Sequence, residues 1–253
     1  KQKTAYEIRN CDWSSDVCSS DLPTTYILPV YETPFFKEND FVHHKYFNWE
    51  KLAEEVGFPC VLKPANGRGA RGVSVCKDFE SLLHNYNLSG SEIMVVQTMV
   101  DTPYEWQIRC LCMGKNILIS KYIFRDFDQS EYLEEDDFLA PKTKKLIEEY
   151  CYVVNRSMGY EMNSVEFFID REGIPWAIDF NNPIPDGRLG ALGSLWYERY
   201  LQAMVNMVLQ MALEPSQHDF IPDVNRYAEI ARLEITAQDR FKKALKIAKP
   251  YYK

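Results

Sequence analysis

The segment from Asn163 to Asp186, NSVEFFIDREGIPWAIDFNNPIPD, constrains the fold of this chain more than any other. It reads as a β-hairpin: one strand from Ser164 to Ile169, a turn at Arg171-Glu172-Gly173, and a second strand from Pro175 to Phe180. Glu166 stands inside the first apolar strand and Asp179 inside the second. Asn181 follows two residues after Asp179, so strand alternation puts both side chains on one face. Ionised side chains are rarely buried in strands unless they are paired or bound to a cation. Two carboxylates and an amide oxygen on adjacent strands make a hard-oxygen set suited to magnesium, which typically takes one or two carboxylates plus substrate phosphates. Two solvent-facing acids on an edge hairpin would leave the same pattern.

Composition sets wider bounds. A chain of 253 residues can bury a large core, as one large domain or two lobes. With 46% hydrophobic and 26% charged residues it is expected to be globular and not disordered. The net charge of −8, without any basic stripe, argues against nucleic acid as a partner. No apolar run approaches membrane-spanning length and no signal peptide is read, so no membrane partner is expected. Seven cysteines without a regular framework point to reduced thiols and a cytoplasmic location. Cys110 and Cys112 would share a strand face, where packing is the expected role.

Asp12 to Leu22, DWSSDVCSSDL, has no periodicity and is identical to the translation of a common high-throughput sequencing adapter. The run is therefore expected to be a scar, with Cys18 not biological and residues 1–22 an artefactual or uncertain leader. The natural protein is expected to have a different and longer N-terminus.

From Pro23 the pattern becomes interpretable. Glu50 to Val56 reads as a short helix ended by Gly57, and Cys60 to Lys63 as a β-run closed by Pro64. A glycine-rich loop, Ala65 to Gly72, leads to a second run from Val73 to Cys76, and Asp78 caps a helix to about Tyr86. Ile93 to Gln97 is a strand, and Glu105 to Met113 with Ile117 to Phe124 form a hairpin around Gly114-Lys115. Lys142 to Met158 and Leu195 to Leu213 are amphipathic helices, the second followed by Pro215, and one more charged helix spans about Asp223 to Ala248. Strands and helices interleave as an α+β or α/β arrangement with antiparallel hairpins. No dinucleotide fingerprint and no Walker lysine motif is present. Glycines at 67, 69 and 72 would let backbone N–H groups approach anionic oxygens, with Arg68 and Arg71 adding charge. A glycine-rich hairpin turn without function fits those residues too.

Lys63 in VLKP, the glycine-rich loop, the strand VVQTMV, a basic hairpin and the acidic hairpin occur in an order that resembles the ATP-grasp superfamily from Pro23 to about Leu213. The resemblance is greatest to bacterial members of unassigned substrate with a VEF…AIDF-x-NP-x-PD signature. D-alanine–D-alanine ligase and the ribosomal-protein glutamate ligase are more distant. It implies an α+β ATP-grasp fold, two α+β lobes clamping ATP, with an N-terminal pre-ATP-grasp domain largely missing. The expected bounds are 23–100 for the N-terminal lobe, 101–215 for the C-terminal lobe and 216–253 for a helical tail.

The resemblance also implies a site. Lys63 takes the position of the lysine that contacts the α/β-phosphates, and Gly67, Arg68, Gly69, Arg71 and Gly72 that of a flap over them. Gln97, Thr98 and Val100 fall where the lobe connection meets adenine, Gln97 replacing the frequent glutamate, and Glu105 where an acid holds the ribose. Arg109 and Arg125, with Lys121 a weaker alternative, match basic residues that stabilise the transferring phosphate. Glu166, Asp179 and Asn181 match the magnesium ligands, with the order of Glu and Asp reversed from the commonest pattern. Asn182 competes with Asn181, since strand alternation favours one and the Asn-Pro pattern the other. The implied cofactors are ATP and Mg²⁺. The implied reaction joins a small-molecule or peptide carboxylate to an amine through an acylphosphate, which asks for positioning and electrostatics more than a protein nucleophile. A phosphotransferase and a non-catalytic nucleotide-binding module are the alternatives. His43-His44 reads as a loop feature, and Asp186 and Arg188 as residues that could line an acceptor site or simply be solvated.

Overall fold

The computed structural model describes residues 22–30, 47–66, 71–125, 130–214 and 224–253. The adapter-like run up to residue 21, His43-His44, Gly67, Arg68 and Gly69 lie outside them. The chain divides into two compact units, Pro23–Met99 and Val100–Lys253.

The first unit holds β1 (Thr25–Ile27), α1 (Trp49–Val56), β2 (Cys60–Pro64), β3 (Ser74–Cys76), α2 (Phe79–Asn87) and β4 (Met94–Thr98). The strands pair antiparallel in the order β1-β4-β2-β3. Local chemistry sets the helix ends. The Asn48 side chain accepts from the Lys51 N–H at 2.9 Å to start α1, and Asp78 with Ser81 forms a capping box that starts α2. Leu52 and Val56 on α1, and Leu82 and Tyr86 on α2, repeat at helical spacing and bury against Leu62 and Val96 of the sheet. The Cys60 and Cys76 thiols face each other across β2 and β3, and burial foremost pushes Cys60 up to about 12, so this pair packs as unreactive thiols.

The second unit holds β5 (Gln107–Met113), β6 (Asn116–Ile123), β7 (Glu131–Leu133), α3 (Pro141–Met158), β8 (Met162–Ile169), β9 (Pro175–Asn182), α4 (Leu189–Leu213), α5 (Val224–Ala231) and α6 (Ala237–Ala248). Its five strands pair antiparallel in the order β7-β6-β5-β8-β9. Period-two alternation sends Ile108, Cys110, Cys112, Val165 and Phe167 to one face, where they pack with residues of α3, α5 and α6. Leu111, Met113, Tyr122 and Tyr132 go to the other, under Trp196, Tyr200, Ala203 and Met207 of α4. The Trp196 indole donates to the Leu133 carbonyl at 3.0 Å and ties α4 to the short β7.

Several boundaries differ from the sequence-based expectations. α4 starts at Leu189, six residues before the expected Leu195, and continues through a non-helical Gly193 (φ 72°, ψ 167°). Only glycine accepts that break readily, which is why the amphipathic pattern restarts after it. The expected single tail helix is two, because Thr236 caps a new start by accepting from the Asp239 N–H at 3.1 Å. Both tail helices pack into the core of the second unit. β5 begins at Gln107 and not Glu105, and β6 stops at Ile123. β1 and β7, three residues each, are too short to leave a pattern.

Gly72 shows how tightly the loop before β3 is closed. It sits at φ +74°, and a Cβ there would lie 2.8 Å from Pro64 Cγ. Gly72→Ala is expected to destabilise the protein by at least about 1–2 kcal/mol from the left-handed backbone alone. A urea or thermal unfolding midpoint equal to that of the parent would contradict this.

Candidate functional site

Across the second sheet the register brings four polar side chains into one row. Ser120 pairs with Arg109, Arg109 with Glu166, and Glu166 with Asp179. Directly opposed residues share a face, so the row lies on the α4 side of the sheet with Gln107 beside it. Arg109 Nη2 and Glu166 Oε1 are 3.2 Å apart, with 16% and 17% of the side chains exposed. The Gln107 amide donates to the other Glu166 oxygen at 2.8 Å. The Arg109 guanidinium also lies over the Tyr122 ring, 4.9 Å from its centroid. Burial works against the charge on Arg109, but Glu166, then Tyr132, Tyr122 and Asp179, outweigh it and hold the pKa above the ordinary arginine value. Arg109 Nε is buried without a hydrogen-bond partner, so one guanidinium donor in the row stays uncommitted.

β9 is irregular where it meets this row. The register steps from Phe167↔Ala177 to Glu166↔Asp179 and then to Ser164↔Asn182, so β9 carries extra residues against β8. Asp179 and Asn181 are exposed, while Ile178 and Phe180 between them are half-buried. Asn181 Oδ1 accepts from the Tyr160 hydroxyl at 2.5 Å, and the Asn182 N–H donates to Asn163 Oδ1 at 2.9 Å. Downstream, Asp186 accepts from Arg188 Nη2 at 2.7 Å and from Nε at 2.9 Å. The Arg188 hydrogen bonds hold its carboxyl below the usual range, and Arg109 adds to the effect. Gly187 leaves no room for a Cβ, which would fall 2.6 Å from the Tyr200 ring.

The other expected residues separate by position. Lys121 pairs with Ile108, so it sits on the opposite face from Arg109, with Glu135 at 2.6 Å and the Trp106 ring centroid at 5.1 Å. Strand parity thus removes it as an alternative to Arg109. Arg125 is exposed just beyond β6, its N–H donating to Ser130 Oγ at 3.0 Å. Glu105 is exposed in the bend before β5, and Val100 is half-buried at the start of the second unit. In the first unit, Lys63 Nζ donates to Gln97 Oε1 at 3.2 Å, and the Gln97 amide donates to Thr25 Oγ1 at 2.9 Å. The Thr98 hydroxyl donates to the Val56 carbonyl at 2.8 Å. Arg71 is exposed beside Gly72.

Among the described residues, no group of three His, Cys, Asp or Glu side chains converges as a metal site. The donor set at Glu166 is two carboxylates with amides nearby. Three residues in this neighbourhood escaped the sequence reading: Gln107, Tyr160 and Asn163. Two of them are amides in mainly apolar strands, and such residues need partners when buried, which was a legible signal.

Residues 31–102 match the family model for the carbamoyl-phosphate synthase L chain, ATP binding domain. A D-alanine–D-alanine ligase structure from Bacillus anthracis is similar at a TM-score of 0.56 and 18% identity, covering 80% of this chain and 67% of that one. The ATP-grasp ligase PsnB, complexed with minimal precursor, Mg and ADP, is similar at a TM-score of 0.51 and 12% identity, covering 80% and 59%. The chain has the ATP-grasp fold. An uncharacterized protein of Sinorhizobium fredii is 39% identical over 162 residues, covering 53% of this ATP-grasp chain and 31% of that protein. The chain spans 20%, 32% and 50% of the length of the first three curated relatives it matches.

The ion pair at the centre of the row has a measurable signature. Arg109→Met leaves the largely buried Glu166 without this cation and is expected to cost about 1–3 kcal/mol in a chemical unfolding experiment. Adding Glu166→Gln to it should recover part of that loss. A double variant no more stable than the single one would contradict the pairing.

Proposed function

We propose that this chain is an ATP- and Mg²⁺-dependent ligase that joins a carboxylate to an amine, or a similar nucleophile, through an acylphosphate. The observation that carries this reading is the row Arg109–Glu166–Asp179 on one sheet of an ATP-grasp fold. It sets a largely buried cation beside two carboxylates, the charge pattern that phosphoryl transfer needs.

The donor set fits magnesium. Arg109 and Gln107 each meet one Glu166 oxygen and so orient its carboxylate, the hard-oxygen donor type that magnesium takes. Asp179 is exposed opposite it, and Asn181 and Asn182 add amide oxygens, of which Asn181 Oδ1 uses one lone pair on Tyr160. Glu166, Asp179 and either Asn181 or Asn182 are the proposed ligands. When bound, the ion would neutralise phosphate charge. The similar ligase PsnB is complexed with Mg and ADP, which supports the pairing of fold and ligands.

The chain's own residues do the rest by position and charge. Arg109 holds a permanent charge on a short tether, pinned by Glu166 and Tyr122, where charge would develop on a transferring phosphoryl group. Lys63, oriented by Gln97, is the proposed contact of the α/β-phosphates, with Gly67, Arg68, Gly69, Arg71 and Gly72 as the flap. Gln97, Thr98 and Val100 would meet adenine and Glu105 the ribose, while Arg125 would supply a second positive charge. The proposed substrates are a small-molecule or peptide carboxylate and an amine. No helix among the described residues is long and apolar enough to cross a membrane. Five described cysteines are free, which supports the proposed reducing, cytoplasmic setting.

The test is a screen of carboxylates and amines with ATP and Mg²⁺, read by mass spectrometry for amide, ADP and phosphate. A phosphorylated product without amide would make the chain a phosphotransferase. Nucleotide binding without turnover would make it a binding module. For the site itself, Glu166→Gln together with Asp179→Asn is expected to lower Mg²⁺-ATP turnover at least about 100-fold with an unchanged circular dichroism spectrum. Turnover at the parent rate would sink the assignment.

A further inference from the structure

Asn163 lies near the start of β8, fully buried, as is Asn155 on α3. Both N–H donors of its amide and one lone pair of its oxygen are used. Nδ2 donates to Asn155 Oδ1 at 3.0 Å and to the Phe180 carbonyl at 3.0 Å, while Oδ1 accepts from the Asn182 N–H at 2.9 Å. Two of these three bonds therefore grip the main chain of β9, one on each side of Asn181. A carbonyl can only accept and an N–H can only donate, so the partners fix which end of the Asn163 amide points where.

This grip falls where the ladder is irregular. Between Glu166↔Asp179 and Ser164↔Asn182, β9 has two residues, Phe180 and Asn181, against the single Val165 of β8. A bulge interrupts the ordinary cross-strand bonds, and β9 is the last strand of its sheet among the described residues, with no described strand beyond it. Asn163 supplies a donor and an acceptor that stand in for ladder bonds. Asn181 is then the residue held outward between two fixed points, with its side-chain oxygen met by the Tyr160 hydroxyl.

We propose that Asn163 is a positioning residue: it splints the β9 bulge and so presents Asp179 and the Asn181-Asn182 pair to a divalent cation. The inference rests on the magnesium reading above. It assigns to Asn163 no contact with metal, nucleotide or substrate.

The experiment titrates Mn²⁺ into the full chain with the non-hydrolysable analogue AMPPNP, and separately titrates ADP without metal. Asn163→Ala is expected to weaken Mn²⁺ binding about 10–100-fold, as loss of a supporting shell typically does, with metal-free ADP affinity unchanged. A folded Asn163→Ala variant with parental Mn²⁺ affinity overturns the proposal. So does an equal loss of Mn²⁺ and ADP affinity, the mark of a general packing defect. If the variant does not fold, hydrogen exchange on the parent protein decides: an Asn182 amide protected like that of Phe167 supports the splint, and one exchanging as fast as exposed Glu105 overturns it. A parent protein that takes up no Mn²⁺ sinks the magnesium reading, while the Asn182 amide still decides the splint.

Discussion

A largely buried arginine facing a glutamate across two strands is the constraint on which the second unit depends. Neither Arg109 nor Glu166 tolerates burial alone, since taking an ion out of water costs several kcal/mol unless its partner comes with it. Their pairing therefore fixes the register of β5 against β8. A slip of one residue would turn Arg109 into the apolar layer formed by Ile108, Cys110, Val165 and Phe167. The helices follow from that choice. α3, α5 and α6 cover the mainly apolar face, and Leu111 and Met113 pack under α4 on the face that also carries Gln107 and Arg109. The charged end of the face is left for polar work.

The first unit orients its lysine in part through neutral amide and hydroxyl groups. Lys63 on β2 reaches Gln97 on β4, which reaches Thr25 on β1, so one ammonium is oriented by a chain of hydrogen bonds crossing three strands. A glutamate at position 97 would hold the lysine by charge and depend on ionic strength. The glutamine holds it by direction, without adding a charge of its own.

Much of this was readable beforehand because alternation and capping are local. The acidic strands, the caps at Asp78 and Gly159, and the apolar stripes of α3 and α4 are each written within a few residues. Lys121 could have been separated from Arg109 only by knowing the β5–β6 pairing, since parity alone does not fix which strand positions oppose each other. The β9 bulges were illegible for a related reason: they are a property of two strands together. Alternation put Asp179 and Asn181 on one face, but the register sets Asn182 opposite Ser164, in step with Asp179 opposite Glu166, because the extra residues and the Asn163 grip depend on β8. Glu105 shows the reverse error, a strand extended two residues too far because nothing local marks where pairing begins.

The position of β9 at the margin of its sheet has a consequence of its own. A marginal strand offers a row of unpaired backbone groups on which another chain can grow. Here that strand is bent by extra residues and carries Asp179 and Asn181 exposed in its second half. An incoming strand would find the hydrogen-bond spacing wrong and a carboxylate in its path. The irregularity that shapes the candidate site therefore also discourages self-association through this edge, so a straighter, neutral β9 would trade away solubility along with the site.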